Sequence, residues 1–125
     1  MDSIPSYEFH RIFDRAAQTT NLKGKFTAEQ IEEELIRVRD ICERRSERAE
    51  TRRIQTKYNF RAVQLERLVE YGFPQRVIAE ARANPRGKVA LTLTYGYEEA
   101  KRRLLAQART RVRMTLVRRN RRSLP

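Results

Sequence analysis

The chain has 125 residues, a formal net charge of +12, 35% charged and 39% apolar side chains, which bounds it to one domain with a single modest core. One cysteine and one histidine exclude an intramolecular disulfide and a Cys/His zinc cluster, and no run approaches the roughly eighteen apolar residues of a membrane span. The charge is lopsided: residues 101–125 carry ten basic side chains and no acid, whereas residues 1–100 hold 18 basic and 16 acidic ones.

The first element is expected from about residue 6 to residue 18, where Phe9, Ile12, Phe13, Ala16 and Ala17 recur at helical spacing. His10 lies off that stripe and reads as a rim or surface histidine. After a Lys23-Gly24-Lys25 joint, Thr27 and Gln30 are spaced as a capping box, with Phe26 and Ile31 placed to form a hydrophobic staple. The stripe Ile31, Leu35, Val38, Ile41 and Cys42 then fades into a run of alternating Glu and Arg. Such a run supports itself through pairs four residues apart. Apolar periodicity resumes at Ile54 and Tyr58 and continues through Ala62, Val63, Leu65, Leu68 and Val69. One long central helix reaching Tyr71 is expected; a fresh start capped by Asn59 is the alternative. Gly72 suits the position after a helix end and Pro74 the first turn of the next.

Residues 89–95 (VALTLTY) read as β, because Val89, Leu91, Leu93 and Tyr95 alternate. A buried helix is the competing reading. The last helix is expected from Tyr97. Ala100, Leu104, Leu105, Ala108, Val112 and Leu116 cover an arc of about 160° at the standard helical period, with Arg102, Arg103, Arg109 and Arg113 opposite. The expected fold is therefore mainly α: a small helical domain with one long central helix, a basic amphipathic C-terminal helix and at most one or two short strands. Residues 1–118 form the domain, anchoring that helix through Leu104, Leu105, Val112 and Leu116, and residues 119–125 a basic flexible tip.

Residues 65–81 (LERLVEYGFPQRVIAEA) resemble the first part of a ubiquitin-associated three-helix domain through Gly72-Phe73-Pro74, and residues 94–100, ahead of Leu104-Leu105, resemble its later part. The resemblance covers under a third of the chain and the two pieces stand further apart than that family's spacing, so it implies no function here.

The functional expectation comes from charge. Arg outnumbers Lys 23 to 5, and the guanidinium fork suits phosphate, although a GC-rich coding sequence gives the same bias. The phosphate-contacting set is Arg102, Arg103, Arg109, Arg111, Arg113, Arg118, Arg119, Arg121 and Arg122, with Tyr97 beside them to stack on bases. A second patch is expected from Arg52, Arg53, Lys57, Arg61 and Arg67. No Gly-rich phosphate loop, Gly-x-Ser-x-Gly elbow or His-Glu-x-x-His is present. The sequence points to a non-enzymatic nucleic-acid-binding protein without cofactor or metal, with RNA or single-stranded nucleic acid ahead of duplex DNA. The alternative is an interaction module or inhibitor docking on an acidic surface of a nucleic-acid-processing enzyme or ribonucleoprotein. An intracellular location, no membrane partner, and a homo-oligomer or larger nucleoprotein assembly complete the expectations.

Overall fold

The computed structural model describes residues 4–123, apart from the side chains of residues 120–123. Six helices follow in order: α1 (Ser6–Thr19), α2 (Ala28–Glu47), α3 (Arg52–Glu70), α4 (Phe73–Ala83), α5 (Lys88–Tyr95) and α6 (Tyr97–Ser123). No strand occurs among the described residues.

The stripe on α1 places Phe9 and Phe13 against Phe73 of α4, with ring centroids 6.0 to 6.4 Å apart and all three rings fully buried. Tilted rings at this separation add a specific geometric term to the area they remove from water. Ile31 and Leu35 of α2, Val77 of α4 and Val89 of α5 close around them. His10 is half-buried at the rim, its Nε2 3.4 Å from Glu80 of α4.

The capping box of α2 forms as its spacing requires. The Thr27 hydroxyl accepts the Gln30 N–H at 3.2 Å, and Gln30 Oε1 accepts the N–H groups of Thr27 and Phe26. The staple does not close: Ile31 is buried but Phe26 remains 57% exposed. Behind the cap, buried Glu34 accepts the Asn21 N–H at 2.6 Å and the Arg37 Nε–H at 2.6 Å. Burial alone raises its pKa, but the Arg37 and Asn21 hydrogen bonds and the charges of Arg37 and Lys25 outweigh burial, leaving the carboxyl below the usual glutamate value.

The single long central helix is not what forms. The chain leaves helix after Glu47, and Thr51 caps a new one by accepting the Ile54 N–H at 3.3 Å. Asn59 is not a cap; it sits inside α3 and accepts from the buried Ser46 hydroxyl at 2.7 Å, pinning α2 to α3. The physical reason is burial. A continuous helix would leave the stripes of both halves in water, whereas folding back lets Ile31, Leu35, Val38 and Cys42 share one core with Ala62 and Leu65. The Glu/Arg run between the stripes offers the core little besides Ser46, and the turn between α2 and α3 falls within it, at residues 48–51.

Gly72 takes φ +81° at the end of α3, and Pro74 follows in the first turn of α4. The β reading of residues 89–95 is then overturned. The buried residues are Val89, Thr92 and Leu93, a helical spacing rather than an alternating one. Among the described residues no neighbouring strand is present to satisfy this backbone, so it satisfies itself. Thr92 and Thr94 donate their hydroxyls to the carbonyls of Lys88 and Ala90 at 2.7 and 3.0 Å, which lets threonine sit inside a helix. Lys88 reaches back to Asp14 of α1 at 2.6 Å.

Gly96, at φ +89° and ψ 163°, joins α5 to α6. Only glycine adopts that combination readily, so the joint fixes the departure of the last helix. Along α6, Ala100 is fully buried and Leu104 half-buried, but every described side chain from Leu105 to Arg119 is exposed. The expected anchoring through Leu105, Val112 and Leu116 is thus corrected: they are 53%, 60% and 52% exposed. Apolar residues spaced by four rotate about 40° per step at 3.6 residues per turn. Their stripe therefore winds away from the body after the first turns.

Candidate nucleic-acid interface

At 1.5 Å per residue, the exposed part of α6 between Leu105 and Arg119 is about 20 Å long. It bears Arg109, Arg111, Arg113, Arg118 and Arg119 and no acid. None of these five has an ionic partner among the described residues. Arg109 and Arg113 lie four apart and repel weakly, which leaves the segment poised for an anion. The helical period puts Arg102, Arg109 and Arg113 on one flank and Arg111 and Arg118 on the other, with Ala108, Val112, Leu116 and, at the outer end, Arg119 between. Ala108, Val112, Leu116, Arg109 and Arg113 share one shallow facet. The helix thus presents two cationic edges around an apolar centre rather than one ridge. Arg121 and Arg122 fall within α6, but their side chains lie outside the described residues.

Arg102 and Arg103 differ from the rest. Each lies 3.3 Å from Glu99, and the Arg103 guanidinium stacks 3.7 Å above the Tyr95 ring. Their spacing of three and four from Glu99 is the signal that could have identified this neutralisation in advance. Tyr97 is placed as a core residue: its ring packs on the cluster around α1, its hydroxyl accepts from Gln18 Nε2 at 3.2 Å, and Lys101 covers one face at 5.6 Å. It presents no open stacking platform.

Arg52, Arg53 and Lys57 are all exposed at the start of α3. Following the helical period from Arg53, the outward line continues through Lys57, Phe60, Gln64 and Arg67 to Tyr71. Phe60 is 64% and Tyr71 62% exposed. Sequence reasoning passed over Phe60 as a stacking candidate, although it falls off the apolar stripe of α3, which is itself a sign that it faces outward. The two acids of α3, Glu66 and Glu70, point about 140° and 100° away from the mean direction of that line, and Glu66 lies 3.9 Å from Arg39 of α2.

A shallow cleft of about 380 Å³ between the start of α2 and α4 is lined by Phe26, Thr27, Ala28, Glu29, Gln75, Ile78, Ala79 and Arg82. Its only ionisable groups are Glu29 and Arg82, which is no acid–base pair for a reaction. No group of three or more metal-ligating side chains is assembled among the described residues, and none of their helices is long and apolar enough to cross a membrane. No family model, curated protein or solved structure matches the chain.

Proposed function

We propose that this chain is a non-enzymatic, intracellular nucleic-acid-binding protein that grips phosphates with the outer half of α6. The observation that carries this reading is the exposure of Arg109, Arg111, Arg113, Arg118 and Arg119 on the outer part of α6, where no acid lies. The sixteen acids of the chain all lie before residue 100. Each phosphate neutralised releases condensed counterions, so a helix of this kind gains affinity mainly through entropy of salt. Arg53 and Lys57 on α3 supply a second set of contacts. His10, turned toward Glu80, and buried Cys42 serve the fold.

A direct test titrates labelled single-stranded RNA, single-stranded DNA and duplex DNA into wild type and into Arg109→Glu/Arg113→Glu, following fluorescence anisotropy. The double reversal should reduce affinity at least tenfold while the far-UV circular dichroism of the body is unchanged. Equal affinity of both proteins at moderate salt defeats the reading.

The second reading, a protein partner with an acidic surface or a second copy of the chain, is favoured by one observation: Leu105, Val112 and Leu116 are uncovered between the two arginine edges. Contiguous exposed apolar surface of this kind marks interaction sites. An acidic helix docked there would satisfy both edges and centre.

A further inference from the structure

We infer that the outward face of α3 is a stacking strip for single-stranded nucleic acid, with Phe60 as its base-stacking side chain. This deepens the nucleic-acid reading and rests on it. The strip sets one ring among cations along one line: Arg53, Lys57, Phe60, Gln64 and Arg67, over fifteen residues or about four helical turns. Phe60 is 64% exposed.

Core burial does not explain a phenylalanine here. The neighbours that pack α3 inward are Tyr58, Ala62, Leu65, Leu68 and Val69, and Phe60 points away from them. Its setting is cationic on both sides, with Lys57 one turn before it, Arg67 two turns after it, and no acid on the line. The charge selects a polyanion, and the exposed ring selects one whose bases are accessible. In a duplex the base faces are already stacked, and reaching them costs the energy of unstacking. In a single strand every base offers a face, so aromatic stacking adds affinity without demanding sequence, while flanking cations track the backbone. Tyr97, which adjoins the arginine helix in sequence, cannot fill this role because Gln18, Lys101 and the core already engage it.

The test uses the full chain and four proteins: wild type, Phe60→Ala, Phe60→Trp and Arg53→Glu/Lys57→Glu. Each is titrated with a labelled single-stranded oligonucleotide and with the matching duplex over a range of salt, and each is checked by thermal melting. Phe60→Ala should lose about tenfold or more in single-strand affinity, leave duplex affinity and the salt slope unchanged, and melt with wild type. Phe60→Trp should restore single-strand binding, which a merely structural role would not produce. Arg53→Glu/Lys57→Glu should weaken both ligands and flatten the salt slope. If wild type binds with a salt slope but Phe60→Ala binds single strands unchanged, or loses single strand and duplex equally, the strip is overturned and the arginine-helix reading stands. If wild type binds neither ligand, both fall, and the face is a protein contact.

Discussion

Two residues, Gly96 and Glu34, hold the arrangement in ways no neighbour can replace. Gly96 sits at φ +89° and ψ 163°, a region other residues reach at a cost of about 1–3 kcal/mol. A Cβ there would meet only the Lys23 side chain, at 3.8 Å, so the penalty is conformational rather than steric. Gly96→Ala should lower stability by that amount in urea denaturation. Glu34 is buried and held by Asn21 and Arg37. Its folded pKa is depressed, so its contribution is present above the unfolded glutamate pKa and is lost as pH falls through the folded value. Glu34→Gln should cost about 1–3 kcal/mol at neutral pH, measured by urea unfolding. The gap from wild type should narrow progressively in acid, below the ordinary glutamate pKa. A gap that stays constant down to pH 2 contradicts the assignment.

Whole elements were unequally legible in the sequence, for reasons that differ from helix to helix. The start of α2 could be read because a capping box is local: three residues decide it. The end of α3 could be read because Gly72 and Pro74 have fixed conformational roles. The α2–α3 hairpin could not, since the Glu/Arg run is itself a good helix former and only the shared core makes the chain turn. Residues 89–95 misled because β-branched residues fit strand propensity, whereas burial of Val89, Thr92 and Leu93 in an all-helical core decided the outcome. The arginines of α6 were legible as charge, but not which of them Glu99 ties up, nor that Phe60 replaces Tyr97 as an open ring. The free outer half of α6 has a simple consequence. Replacing Leu105, Val112 and Leu116 together with Gln should leave the melting temperature within about 2 °C of wild type, because surface changes cost little. Were they anchors, each truncated contact would cost about 2 kcal/mol or more, and the melting temperature would fall by many degrees.

At the scale of the molecule, the fold separates two jobs. The body from α1 to α5 holds the core and 18 basic against 13 acidic side chains, while α6 holds ten basic against two acidic ones and carries that excess away from the body. A short helix without tertiary cover is marginal in water, and like charges at i, i+4 weaken it further. Helical content should therefore rise on addition of a polyanion and show no rise with a neutral polymer, as read by circular dichroism at 222 nm. The balance of roles also separates phosphate from carboxylate as the partner. The most direct measurement is the dependence of the single-stranded RNA binding constant on salt for wild type, with an acidic peptide as competitor. Contact by Arg109, Arg111, Arg113, Arg118 and Arg119 of α6 and by Arg53 and Lys57 of α3 should give a log–log slope of about −5, at roughly −0.7 per phosphate, with the peptide competing only weakly. A slope near zero, or displacement of the RNA by equimolar peptide, contradicts the nucleic-acid reading and leaves α6 as a protein-docking helix.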